Sequence, residues 1–225
     1  MSEKKIHLAI IPDGNRRWAK TKGWHPWKGH EYAIENFQAL TEWCRRDPRI
    51  SVLTVWCFST ENWKRDPKEV SELMRIYEGY LRKEAKGFHG RHTRFCHSGR
   101  LDRIPASLAT LIRDVEEDTK NETGFTLHLA VDHGGKDEII RAIQKLDDPK
   151  HVTEETLRAV FDQPNLPDVD IVIRTSGEYR TSNFMMWQSA YAEWIFLPKL
   201  FPELTPKDLE ESIEEFERRM RRFGS

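Results

Sequence analysis

The chain has no long hydrophobic run: its purely apolar stretches are only a few residues, too short for a membrane-spanning helix. The first five residues carry no apolar segment of signal-peptide length before the first strand-like stretch, which reads as a cytoplasmic chain. Cysteine is scarce. Cys44, Cys57 and Cys96 cannot all pair and form no Cys-x-x-Cys, so the expectation is free, mostly buried thiols in a reducing compartment. Charge of one sign is absent too. Thirty-six Lys and Arg against 37 Asp and Glu leave a net charge of −1, which argues against a broad nucleic-acid footprint. Any anion must therefore be bound by a local cluster. Repeats, low-complexity tracts and Gly/Pro/Ser linkers are missing, so residues 1–225 read as one domain. No P-loop, dinucleotide fingerprint or nucleophile elbow is present.

What is present is an alternation. Apolar strand-like stretches at 7–11, 51–58, 94–97, 125–131 and 170–174 are separated by amphipathic stretches at 32–46, 67–88, 106–119 and 136–146. A short strand at 193–196 and a closing helix at 205–221 complete the pattern. The order predicts an α/β fold: a mainly parallel sheet of about six strands flanked by helices. Ligands bind outside the carboxyl ends of the strands in such sheets. Trp24 and Trp27 fall in a loop-like stretch, where large rings often line a cleft.

Three strand ends carry anion-binding chemistry. The first runs Pro12-Asp13-Gly14-Asn15-Arg16-Arg17-Trp18 into a helix. Glycine lets backbone N–H groups approach a phosphate, the helix N-terminus adds a favourable field, and arginine supplies forked donors. Asp13 would repel a bare phosphate, so it makes sense with a bridging cation such as Mg2+. The same residues would equally serve as a surface turn with a capped helix. The second end is Phe58-Ser59-Thr60-Glu61-Asn62-Trp63-Lys64-Arg65, alternatively a polar loop capping the next helix. The third, from Arg174 to Phe184, sets Arg174 and Arg180 among hydroxyls beside Gly177 and suits a diphosphate.

Together these segments resemble the cis-prenyltransferase family, the undecaprenyl diphosphate synthases and their relatives. The resemblance rests on Asp13-Gly14-Asn15 with Arg17-Trp18, Gly29-His30, Phe58 to Trp63 with Arg65, Arg174-Thr175-Ser176-Gly177-Glu178, Arg180, and Ser182-Asn183-Phe184. It continues through Trp187-Gln188, Ala190-Tyr191, Glu193 and the closing Arg221-Arg222-Phe223-Gly224. It implies a family fold with an apolar tunnel. It also implies condensation of isopentenyl diphosphate with an allylic diphosphate, farnesyl or related, to a Z-polyprenyl diphosphate with Mg2+. By that resemblance Asp13 and Asn62 are catalytic, Asp13 holding the metal and Asn62 assisting proton removal. Gly14, Asn15, Arg16, Arg17 and His30 surround the allylic diphosphate. Trp18, Ser59, Thr60, Glu61, Trp63 and Arg65 shape the cleft. Arg174, Arg180, Thr181 and Ser182 take the diphosphate of isopentenyl diphosphate, and Glu193 supplies a second metal carboxylate. Arg222 and Gly224 reach across a homodimer interface, and the lipid product implies contact with a membrane surface.

The chain departs from the family pattern. Pro26 stands where an arginine is usual, Arg16 and Ala33 where glycines are common, and Asp132-His133-Gly134-Gly135-Lys136 where Asn-Tyr-Gly-Gly-Arg is common. A non-catalytic partner subunit is the alternative reading, opposed by the presence of Asp13, Asn62, Arg174, Arg180 and Glu193. A phosphohydrolase would need a positioned water base that is not evident. The apolar stripe at 67–88, facing Val55, Cys57, Phe125 and Leu127, would line a tunnel or simply pack as core. If it lines a tunnel, Phe125 is expected to stop growth at a short or medium chain. His89 and His92 read as solvated helix-end residues without ligand-spaced partners.

Overall fold

The structure, a computed structural model, describes residues 5–219. Six strands form one sheet: β1 (Ile6–Ile11), β2 (Ile50–Ser59), β3 (Thr93–Ser98), β4 (Phe125–His133), β5 (Ile171–Arg174) and β6 (Glu193–Phe196). Their order is β3-β4-β2-β1-β5-β6, and every pairing is parallel. Both faces are covered, which is why the inner strands read as continuous apolar runs. On one face Leu8, Ile10, Leu53, Val55, Leu127, Leu129, Ile171 and Ile173 meet helices α2 (Pro26–Arg46), α3 (Pro67–Glu84), α4 (Ala106–Thr119) and α7 (Pro206–Arg218). On the other, Ala9, Ile11, Ala130 and Val172 pack under Phe184 and Met185. Helices α1 (Asn15–Thr21), α5 (Gly135–Gln144) and α6 (Glu154–Arg158) complete the chain.

Local chemistry sets the element ends. Asp66 caps α3 by accepting from the N–H groups of Lys68 and Glu69, and Pro67 occupies the first turn. Thr205 and Asp208 form a capping box at α7, again followed by proline. Helix α2 starts six residues before its apolar periodicity, because Pro26 is pre-set for a first turn. Trp27 therefore belongs to a helix rather than a loop, stacked on His25 at 4.4 Å. Helix α3 ends at Glu84, and the chain reaches Phe88 through 3-10 turns. The five-residue α6 had no sequence signal long enough to read. Cys44 and Cys96 are buried, Cys57 is half-buried, and all three are free. His89 is exposed but sits between Asp118 (2.9 Å) and Glu122 (2.7 Å), partners that only the tertiary fold brings near. No helix of the described residues is long and apolar enough to cross a membrane.

A buried polar row crosses the sheet face that carries Ala9 and Ala130. His7 lies 2.8 Å from the Pro167 carbonyl and 2.6 Å from the Thr54 hydroxyl. Thr54 in turn meets His128 at 2.9 Å, and His128 meets Ser98 at 2.8 Å. Burial pushes His7 down to about 4 and His128 well below its ordinary value, so both rings are neutral near pH 7.

Candidate active site

The site forms where β1 and β5 end side by side. Ile11 pairs with Arg174, so the residues that follow them converge. Asp13 Oδ2 accepts from Arg174 Nη2 at 2.9 Å, and Asp13 Oδ1 accepts from the Gly14 N–H at 2.7 Å. Gly14 holds φ at 100°, and a Cβ there would stand 2.7 Å from Leu200 Cδ2, so the turn into α1 requires glycine. The Arg174 side chain is only 4% exposed. Its Nη1 donates to the Arg180 carbonyl at 2.6 Å and to the Ser182 hydroxyl at 2.7 Å. Its Nε is buried with no partner. Ser176, Ser182, Asn183 and Met185 all hold positive φ, a concentration of strain that marks functional loops.

A second wall comes from α2. A Cβ on Gly29 would lie 2.1 Å from the Asn15 carbonyl oxygen, so α1 and α2 meet backbone to backbone. That approach places His30 beside the turn. The residue is half-buried, and its buried Nε2 has no partner. Burial, then Arg65 and Arg16, pushes His30 down to about 3, so it is neutral and free to donate one hydrogen bond. Those two arginines are held by the buried Glu69, at 3.5 Å from Arg16 and 3.3 Å from Arg65. The third wall is the 3-10 turn after β2. Asn62 Oδ1 accepts the Ser59 N–H at 3.2 Å, and Glu61 accepts from Asn183 at 3.0 Å. Trp63 donates to Asp132 at 2.8 Å and stands edge-on to Phe58.

These walls enclose a cavity of about 590 Å³. Its mouth is polar, with Asp13, Asn15, His30, Ser59, Glu61, Asn62, Arg65, Arg174, Arg180, Ser182 and Asn183. Its interior is apolar, with Ile34, Phe37, Val55, Cys57, Tyr77, Tyr80 and Leu129. Phe37 and Tyr80 meet at 4.9 Å between ring centroids. A charged head and a hydrocarbon tail are thus accommodated at opposite ends of one space.

Ten of the expected residues line the cavity together. Four more frame it. Gly14 makes the turn, Arg16 pairs with Glu69, Arg17 reaches Ser176 and Glu178 on the rim, and Trp18 is buried under Tyr32 at 4.5 Å. Thr60 and Trp63 back the 3-10 turn, and Thr181 is exposed. Arg180 pairs with Glu178 on the rim. Glu193 is set apart. It opens β6 opposite Ile171, level with Leu8, whereas Asp13 follows Ile11. At about 3.3 Å per residue that is roughly 15 Å along the strands, and Glu193 pairs with Arg219 at 2.7 Å instead. Arg222 and Gly224 lie outside the described residues. Sequence reasoning gave no site role to Phe37, Tyr80 or the anchoring Glu69, and noted Asn183 only as part of a motif. Phe37 was visible only as helix periodicity, Tyr80 lay off the apolar stripe read for its helix, and Glu69 looked like any acid in a first helical turn.

The donor set at the mouth suits a hard cation shared with phosphate. Asp13 is one carboxylate, 31% exposed, with guanidinium groups around it. Its pairing with Arg174 neutralises it while leaving further oxygen lone pairs for an ion. The unpartnered Asn15 Oδ1, His30 Nε2 and Arg174 Nε are polar atoms awaiting a polar ligand.

Residues 11–224 match the Prenyltransf family model, described as "Putative undecaprenyl diphosphate synthase". The chain is 45% identical over 219 residues to an isoprenyl transferase of Wolinella succinogenes, covering 97% of this chain and 96% of that one. An isoprenyl transferase of Helicobacter pylori is 41% identical over 225 residues, with the same coverage. Among solved structures, lavandulyl diphosphate synthase from Lavandula x intermedia, in complex with dimethylallyl diphosphate, superposes with a TM-score of 0.90 at 33% identity, covering 97% of this chain and 98% of that one. A probable undecaprenyl diphosphate synthase from Campylobacter jejuni superposes at 0.82 with 35% identity over the whole of both chains. The parallel sheet, the diphosphate-ready mouth and these likenesses agree, and the chain belongs to the undecaprenyl diphosphate synthase family: it is a cis-prenyltransferase.

Proposed function

We propose that this enzyme condenses isopentenyl diphosphate with an allylic diphosphate, farnesyl or a near relative, in an Mg2+-dependent reaction that yields a short- to medium-chain Z-polyprenyl diphosphate. The observation that carries this reading is the single cavity joining an arginine-lined, partly unsatisfied polar mouth to an apolar interior. Asn15, His30 and the N-terminus of α1 bind the allylic diphosphate, and Arg65 and Arg16, fixed by Glu69, set the charge around it. Arg174, Arg180 and Ser182 take the diphosphate of the second substrate. Asp13 would hold Mg2+, which would supply neutralisation of the charge that builds on the departing diphosphate. The arginines and backbone N–H groups stabilise the same charge, and the apolar interior keeps water from the allylic carbon. The double bond of isopentenyl diphosphate attacks that carbon, and proton loss leaves the new double bond cis.

Asn62 is better suited to donating a hydrogen bond than to accepting a proton. Its carbonyl oxygen is already engaged by Ser59, and an amide NH2 is no base. It orients a diphosphate, and an ionised phosphate oxygen is the stronger proton acceptor nearby. Glu193 lies a strand's length from Asp13 in its own chain, so a role for it at the metal requires the second copy of a homodimer. The sheet edge at β6 and the exposed Tyr179 and Met186 support such a dimer. Incubating the protein with Mg2+, farnesyl diphosphate and isopentenyl diphosphate should yield diphosphates longer by whole five-carbon units. Release of inorganic diphosphate without chain growth, or equal growth in excess chelator, overturns the proposal.

A further inference from the structure

Behind the wall of the cleft, His133 at the end of β4, Glu138 in the first turn of α5 and Asp162 after α6 bring one ligand atom each within 4.8 Å of one another. All three are withdrawn from solvent, and none has a part in the reaction. His133 is completely buried, and neither ring nitrogen has a partner. Gln188 Nε2 donates to Glu138 at 3.0 Å, which puts its own buried and unpartnered Oε1 beside the same carboxylate. Three unpartnered polar atoms thus gather at one buried spot. Buried polar groups are nearly always satisfied, so such a gathering marks a ligand position.

We propose that His133, Glu138 and Asp162 form a binding site for a first-row divalent cation, Zn2+ by preference, distinct from the Mg2+ position at Asp13. One imidazole with two carboxylates is a zinc-type donor set, whereas Mg2+ favours oxygen alone. The fourth position falls to Gln188 Oε1 or to water. A tetrahedral site needs ligand atoms about 3.3 Å apart at zinc–ligand lengths near 2.0 Å, which modest side-chain rotations reach from the present spacing. Asp162 is already gripped by Arg141 at 2.6 Å on each oxygen, and it accepts the Gly99 N–H at 2.9 Å. A carboxylate offers about four lone-pair positions, so one remains for a metal. Arg141 is shared between Asp162 and Asp137, Lys145 Nζ stands 3.7 Å from Asp162, and among the described residues Glu138 forms no ion pair. The ion would tie a strand end, a helix start and a loop together behind Gly134 and Gly135, whose chain braces Asn183 at the cleft.

The test is calorimetric titration of chelator-stripped full-length protein with Zn2+ in millimolar Mg2+, alongside thermal unfolding. One equivalent should bind and raise the unfolding temperature. His133→Phe and Glu138→Gln, each with a native circular dichroism spectrum, should lose that equivalent, and Asp13→Ala should keep it. Wild-type protein that binds no Zn2+, variants that bind as wild type does, or binding lost with Asp13→Ala each overturn the proposal. Because the readout is binding, it stands or falls separately from the prenyl transfer reaction.

Discussion

We propose that Asp13 performs two tasks, holding Arg174 and organising charge at the cavity mouth, and they can be separated. Its carboxylate pairs with a nearly buried Arg174 and faces the cavity mouth. Asp13→Ala should reduce turnover by at least 100-fold, since losing a charge-organising group at a developing anion costs on the order of 3–5 kcal/mol in the barrier. Asp13→Asn should keep the fold, because an amide oxygen still accepts from Arg174, yet show a comparable loss of kcat. Steady-state kinetics of both variants decide it, and an Asp13→Ala enzyme with near wild-type kcat removes Asp13 from the chemistry. At this scale the sequence was informative where residue type implies a task. An acid followed by arginines called for a charged cluster at the strand end, and a glycine after a strand called for a turn. It was silent about Glu69, Tyr80 and the unpartnered atoms of Asn15 and His30, because those roles depend on which helix faces which strand end.

Element by element, the alternation of periods was enough to give the strand sequence and the main helices. Errors fell where proline or 3-10 geometry overrides periodicity, as at Pro26 and after Glu84. The crossing of α1 over α2 had no sequence signal except Gly29 itself. Gly29→Ala should lower stability by about 1–3 kcal/mol through overpacking against the Asn15 carbonyl. It should also raise KM for the allylic substrate, because relief can come only by moving the helix that follows Asp13. Urea unfolding and kinetics together test this. An Ala variant of native stability would mean that the helices can part freely. On β4, Phe125 shares a sheet face with Leu129, which lines the cavity, and lies four residues further from the mouth. A tunnel prolonged along that face meets the ring. Phe125→Ala should shift products to longer chains, read by mass spectrometry, at a stability cost of about 3–5 kcal/mol for a fully buried phenyl. Unchanged lengths from a folded, active variant would place the stop elsewhere.

For the whole molecule, the buried imidazoles set the acid limit. His7 and His97 are pushed down to about 4, burial being the main cause in both, and His128 is shifted the same way. Below about pH 6.5 the unfolded chain takes up protons that the folded chain refuses until about pH 4. Stability is therefore full above pH 6.5 and falls as the pH drops through that interval. At pH 5, His7 and His97 each cost about 2 kcal/mol by this linkage, a large share of a typical net stability of about 5–15 kcal/mol. Urea midpoints should drop steeply between pH 7 and pH 5. A flat profile would mean that these rings are protonated in the fold.

The row from His7 to Ser98 also has a direction. Nδ1 of His7 faces a carbonyl, which can only accept, so the hydrogen of that neutral ring sits on Nδ1. Its Nε2 is then bare and takes the hydroxyl hydrogen of Thr54, whose oxygen is left to accept from Nδ1 of His128. That leaves Nε2 of His128 bare for the hydroxyl of Ser98. One fixed carbonyl at Pro167 thus dictates the tautomer of a ring two strands beyond His7, and nitrogen chemical shifts should report both imidazoles protonated at Nδ1. Thr54→Ser should preserve that ordering, while Thr54→Val should cut it, releasing His128 to exchange between tautomers.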